Sequence, residues 1–321
     1  LTYSPLYAIS ETSDKRWYAM LPIWIDCDPG IDDAIMLSLA AASQDRLHIC
    51  GISAVAGNRP LNYTAPNALH LTSMLRLNVP VAYGAAGPLI RDRIDAGYVH
   101  GENGLGNCQL PATDKQPEAD NAVLCMRRAI LSLPEGEQMT LVPTGPLTNI
   151  ALLLHTFPEV KPHIRQIVLM GGSAGHGNST PYAEFNVYAD PDAAQMVYAS
   201  GLPIVMCGLD VTEKSLLTKA QINEIAAMSR PIHQHLSTML RFYGDTVAYA
   251  GMTSICVHDA DTILYLIHPE LFSGWQASVE VVRTGERMGQ TVCTPGGNVL
   301  VLDQVDLPRY QQCLLARLRT L

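Results

Sequence analysis

The chain reads as an α/β protein built as a single domain on an open, mainly parallel, doubly wound sheet flanked by helices. Two observations predict this. Short apolar runs of strand length alternate with segments of helical periodicity along most of the 321 residues, the pattern that joins parallel strands through crossover helices. The first such run also stops abruptly at an Asp-rich Pro-Gly turn, and in open sheets of this kind ligands bind beyond the carboxyl ends of the strands. No linker divides the chain. Residues 1–20, which mix Glu11, Asp14, Lys15 and Arg16 with aromatics and lack an apolar signal core, read as an N-terminal extension to a domain over residues 21–321.

In chain order, Pro22 to Ile25 is the first buried strand, Pro29-Gly30 a turn, and Ile31 the start of a helix with Asp32 and Asp33 in its first turn. Strands are expected at Ile49 to Val55, Val79 to Tyr83, Thr140 to Pro143, Gln166 to Met170 and Ile204 to Cys207, with helical segments such as Asn62 to Leu77 and Ala119 to Leu133 between them. Asp190 and Asp192 suit capping of the helix that follows them. Glu280 to Arg283 and Thr291 to Cys293 suggest a peripheral β-hairpin, and Val305 to Leu318 a closing helix. Polar and Gly-rich residues follow several strands: Ala56-Gly57-Asn58, Thr144-Gly145-Pro146, and Gly171-Gly172-Ser173 with a long loop through Asn186.

Composition removes several function classes. With 48% hydrophobic and 16% charged residues the chain is a well-buried globular protein. A formal net charge of −9 argues against a nucleic-acid partner, since that binding needs a basic face. No apolar run has the length of a membrane span. The eight cysteines are scattered without a C-x-x-C pair, as expected of buried thiols in a reducing cytoplasm.

Asp26, Asp28, Asp32 and Asp33 converge at the end of the first strand. Carboxylates this close raise one another's pKa, and a helix N-terminus offsets only about 0.3–1 kcal/mol for each. With no Lys, Arg or His within the cluster, a hard divalent cation is the favoured partner. Oxygen-only ligation suits Ca²⁺ or Mg²⁺ and disfavours zinc.

DCDPGIDDA at Asp26 to Ala34, VAGN at Val55 to Asn58, PTGPLTN at Pro143 to Asn149, GNSTPYAEFNVYADPDAA at Gly177 to Ala194 and VHDA at Val257 to Ala260 stand in that order. Together they resemble the motifs of the inosine-uridine preferring nucleoside hydrolase family, over about residues 21 to 318. The resemblance implies Ca²⁺-dependent hydrolysis of the N-glycosidic bond of ribonucleosides, of pyrimidine or inosine type, to ribose and free base. It implies Asp28, Asp33, the Thr144 carbonyl and Asp259 as calcium ligands, with Asp28 also the base that activates a calcium-bound water. Asp32, Asn58 and Asn186 would hold the 2′ and 3′ hydroxyls, and Asn178 and Glu184 the 5′ hydroxyl. Relatives form homotetramers or homodimers, so a homo-oligomer with a small-molecule ribonucleoside substrate is expected, and no nucleic-acid or membrane partner.

His258, directly before Asp259, is the candidate to assist the leaving base, because histidine can donate a proton near neutral pH. His100, in HGENGLG, is the second candidate, with a loop or supporting role as its alternative. His233 and His235 read as packing or surface residues. The segment Arg241 to Met252 is expected to pass over the base, offering Phe242, Tyr243 and Tyr249 for stacking. Two other readings remain: a nucleoside- or ribose-binding protein without turnover, and a haloacid-dehalogenase-type Mg²⁺ phosphatase. The phosphatase expects Thr or Val two places beyond Asp28, where this chain has Gly30.

Overall fold

A computed structural model describes residues 20–246 and 251–321 of the protein. The expected N-terminal extension, apart from Met20, and Tyr249 lie outside the described residues.

The elements run β1 (Leu21–Cys27), α1 (Ile31–Ala41), β2 (Leu47–Ala54), α2 (Leu61–Met74), β3 (Val81–Tyr83), α3 (Gly97–His100), α4 (Ala122–Leu131) and β4 (Met139–Pro143). They continue through α5 (Thr148–Thr156), β5 (Ile164–Met170), α6 (Phe185–Ala189), α7 (Pro191–Tyr198), β6 (Ile204–Cys207), α8 (Leu209–Thr212), β7 (Leu216–Thr218) and α9 (Lys219–Ala226). The last third holds α10 (Pro231–Gly244), β8 (Ser254–Cys256), α11 (Ala260–Ile267), β9 (Phe272–Val281), β10 (Thr291–Pro295), β11 (Val299–Val305) and α12 (Leu307–Leu318).

One nine-stranded sheet organises the chain in the order β10-β9-β11-β6-β5-β4-β1-β2-β3. The strands from β3 through to β11 are parallel, and β9 pairs antiparallel with both β11 and β10. The expected hairpin exists, but it is longer than its sequence signal and forms the edge of this same sheet. Val299–Val305, not expected as a strand, joins the hairpin to β6, so Val305 closes a strand and the final helix begins at Leu307 behind its Asp306 cap. The chain builds outward from β1 to β3 and then crosses to β4 on the other side. The order therefore reverses between β1 and β4, which is where an open α/β sheet forms its crevice.

β1 is buried on both faces. Ile23, Ile25 and Cys27 join a core with α1, α10, α11 and α12, and Trp24 joins the opposite core with α4, α5 and α7. Near-continuous apolar residues are what a two-sided burial demands. Asp26 faces the α5 side, where its Oδ1 accepts from Ser53 Oγ and from Asn149 Nδ2 at 2.8 Å. Asp28 stands beyond the strand, at the crevice.

Candidate active site

Pro29 and Gly30 end β1, and Gly30 caps α1, where its N–H donates to Asp33 Oδ2 at 2.8 Å. The turn sets Asp28, Asp32 and Asp33 side by side at the reversal point. Asp28 is buried in a socket formed by the loops after β2 and β4. Its Oδ2 accepts the Asn58 N–H at 2.6 Å, and its Oδ1 has no hydrogen-bond partner among the described residues. A side chain on Gly57 would collide with Asp28 Oδ2, and one on Gly145 would stand 2.7 Å from Oδ1. Both motif glycines are there to let backbone approach the carboxylate.

Asp259, reached through β8, completes the acidic group. Carboxylate oxygens of Asp32, Asp33 and Asp259 lie within 4.8 Å of one another, and all three residues are buried. Thr144 Oγ1 donates to Asp33 Oδ1 at 2.9 Å. Burial, reinforced by the neighbouring Asp33, pushes Asp32 up to about 8. Burial and then the same neighbour hold Asp28 well above the carboxylate range, and burial with the charges of Asp32 and Asp33 does so for Asp259. Asp33 is also raised, chiefly by burial. Burial and mutual repulsion thus oppose ionising all of these groups together unless a cation is present. The buried, unpartnered Asp28 Oδ1 and Asp32 Oδ1, in an all-oxygen donor set, fit a hard divalent cation.

The sequence places no histidine in this cluster, and here the structure differs. His100 is buried with Nδ1 4.0 Å from Asp32 Oδ1. It adds no positive charge, because burial, helped by nearby His258, pushes its pKa down to about 3. Its Nδ1 accepts the Ile31 N–H at 3.2 Å, so its proton resides on Nε2.

A cavity of about 860 Å³ opens above the cluster, lined by Asp32, Asn58, Asn178, Glu184, Asn186 and Asp259 among others. Among the described residues neither Lys nor Arg lines it. Asn58 Nδ2 lies 3.3 Å from Asp33 Oδ2, and Asn186 Nδ2 donates to the Thr144 carbonyl at 2.8 Å. The expected carbonyl ligand and the expected sugar-binding amide thus already touch. Glu184 caps α6, its two oxygens taking the N–H groups of Asn186, Val187 and Gly172. Asn178 Oδ1 accepts the Phe185 N–H at 2.9 Å. Asp190 caps α7 through Ala193 and touches no part of the cavity.

His258 lines the cavity beside Asp259, and burial pushes its pKa down to about 4. Tyr243, on α10, also lines the cavity, with its ring 5.5 Å from that of His100. Phe242 instead packs against Gly106 in the loop after His100. His233 is buried against the Leu318 carbonyl, and His235 lies against Cys108.

Several lining residues carry no sequence signal. Tyr98 is a large, exposed group that lines the cavity, Glu213 lines it from the segment after β6, and behind the lining the buried Thr212, on α8, stands 2.8 Å from His258 Nδ1; Met252, also lining, ends the segment expected over the base. Following every strand end outward would have reached Thr212, since α8 comes directly after β6.

Comparison with known proteins gives a consistent picture. Residues 23–312 match the family described as inosine-uridine preferring nucleoside hydrolase. The chain is 44% identical over 312 residues to the pyrimidine-specific ribonucleoside hydrolase RihA of Shewanella woodyi, covering 93% of this chain and 98% of that one. It is 42% identical over 299 residues to the non-specific ribonucleoside hydrolase RihC of Escherichia coli, covering 91% and 96%. Among solved structures, a purine-preferring ribonucleoside hydrolase from Gardnerella vaginalis superposes with a TM-score of 0.87 at 30% identity, over 93% of this chain and 98% of that chain.

Proposed function

Because the chain belongs to the inosine-uridine preferring nucleoside hydrolase family and is a ribonucleoside-cleaving N-glycosidase, we propose that it hydrolyses pyrimidine or inosine-type ribonucleosides, with Ca²⁺ as cofactor and Asp28 as general base. The observation that carries this reading is the buried group of Asp32, Asp33 and Asp259 at the sheet's reversal point, beneath a cavity edged with asparagines.

Asp28, Asp33, the Thr144 carbonyl and Asp259 would hold the ion. Bound there, calcium would supply a Lewis-acid centre that acidifies water. Asp28, held by the Asn58 N–H at one oxygen, takes the proton of the attacking water at the other. Ionised carboxylates around the ring stabilise the positive charge that develops at C1′ as the glycosidic bond breaks. Asp32, Asn58 and Asn186 receive the 2′ and 3′ hydroxyls, and Asn178 and Glu184 the 5′ hydroxyl. His258 assists the departing base, with His100 beside it and Tyr243 against the base. A site built for a 2′ hydroxyl leaves polar groups unpaired when that hydroxyl is missing, so deoxynucleosides should be poor substrates. Assembly as a cytoplasmic homodimer or homotetramer belongs to the same proposal, and light scattering tests the assembly.

The deciding experiment is ribose release from uridine, cytidine, inosine, adenosine and deoxyuridine, before and after exhaustive chelation, with Asp28→Ala alongside. Chelator-sensitive release from ribonucleosides, little from deoxyuridine, and a folded but inactive Asp28→Ala are expected. Nucleoside binding without any ribose release would instead make the protein a binder.

A further inference from the structure

The segment that follows β6 belongs to none of the five motifs, yet it touches both sides of the cavity. Asp210 accepts the Ala174 N–H at 2.8 Å, and Glu213 pairs with His176 at 3.1 Å. Both partners sit on the loop that leads to Asn178. From the same segment, Thr212 Oγ1 lies 2.8 Å from His258 Nδ1, and Ser215 Oγ donates to Asp261 at 2.7 Å. His258 and Asp261 flank Asp259. A few residues therefore join the sugar side of the site to the leaving-base side.

We propose that Thr212 is a positioning residue for glycosidic cleavage: its hydroxyl donates to His258 Nδ1 and fixes the imidazole tautomer that carries its proton on Nε2, the nitrogen that serves the leaving base. This rests on the reading of His258 as the group assisting that base.

A singly protonated imidazole has one N–H and one lone pair, and the partner of one nitrogen decides which the other presents. Thr212 is fully buried, and a buried hydroxyl must place its hydrogen on an acceptor. The 2.8 Å contact is a full hydrogen bond. His100 offers an internal parallel: its Nδ1 accepts from a backbone N–H, which can only donate, so it too carries its proton on Nε2. With Thr212 donating, both histidines of the cavity show the same polarity.

In the reaction the water oxygen bonds to C1′ while the C1′–N bond breaks and leaves its electron pair on the base. The water's proton passes to Asp28. The hydrogen bond from His258 Nε2 stabilises the developing negative charge on the base, which takes a proton from solvent on leaving while Asp28 returns its own. His258 keeps its proton throughout, so its value lies in pointing that proton at the base.

The test compares Thr212→Val, Thr212→Ser and His258→Ala on uridine and on p-nitrophenyl riboside, whose leaving group needs little help. Thr212→Val should lower kcat on uridine by about 10- to 100-fold, the scale on which partners that orient a functional histidine act. KM should change little, the loss on the nitrophenyl substrate should be much smaller, and Thr212→Ser should restore uridine turnover. The Thr212→Val, His258→Ala pair should be no slower than His258→Ala alone. A selective loss in His258→Ala with wild-type behaviour in Thr212→Val, or equal losses on both substrates in Thr212→Val, would overturn the role of Thr212 and leave that of His258 standing. Equal losses in His258→Ala would remove the role of His258 itself. If Thr212→Val does not fold, ¹⁵N NMR of the wild-type imidazole decides: a proton on Nε2 is expected, and one on Nδ1 refutes the proposal.

Discussion

Asp28 shows how much a single residue depends on side chains that are missing. Gly57 and Gly145 close on its two oxygens from different loops, and neither position has room for a methyl group. Gly57→Ala should push the carboxylate out of line and lower kcat by about 10²-fold, as a displacement near 1 Å does. The check is turnover on uridine beside a melting curve; full activity would show that the socket tolerates a side chain. At this scale Asp28, Asp32 and Asp33 are legible in the sequence, because aspartates crowded around one turn repel one another unless a cation or shared protons intervene, whereas Asp26, expected to converge with them, turns to Ser53 and Asn149 on the α5 side instead. The asparagines are legible only as members of motifs. Thr212 and Tyr98 are not legible at all: a threonine on a short helix and a tyrosine before a histidine acquire meaning only from what the fold sets beside them.

Among the elements, α5 has an anchoring task beyond packing. Asn149 donates to Asp26 Oδ1 at 2.8 Å and accepts the Ala85 N–H at 2.8 Å, tying the helix after β4 to β1 and to the exit of β3. Asn149→Ala would leave the part-buried Ala85 N–H without its acceptor and Asp26 Oδ1 with Ser53 Oγ alone, and urea denaturation should show a loss of about 1–3 kcal/mol. An unchanged midpoint would mean water replaces the amide. Which elements the sequence reveals follows from burial. Ile204–Cys207 is apolar at every position and is legible to its true limits. In β9, FSGWQASVEV mixes polar and apolar residues because one face of this edge hairpin strand meets solvent, and only its last residues give a strand signal. β11 follows Gly296-Gly297-Asn298 and carries Asp303, which disguises it as loop.

For the molecule as a whole, the acidic crevice ties stability to pH and to the cation. Asp26, pushed up to about 7 by burial, and Asp32, pushed up to about 8, hold protons in the folded metal-free protein that the unfolded chain has lost above about pH 4. The native state then binds more protons than the unfolded one, so stability falls as pH rises from about 4 to 8. A cation favours the ionised carboxylates and should restore stability most at the upper end. The melting temperature of the chelated protein should drop between pH 5 and pH 8, and the gain on adding calcium should be larger at pH 8; a gain independent of pH would refute the linkage. The sheet order carries one more consequence, for synthesis on the ribosome. The strand that delivers Asp28 is made early and Asp259 only after β8, so most of a translating chain carries the acidic turn without the last of its proposed ligands. On the proposed ligand set, fragments ending before residue 259 should therefore be poor calcium binders however well their early strands associate.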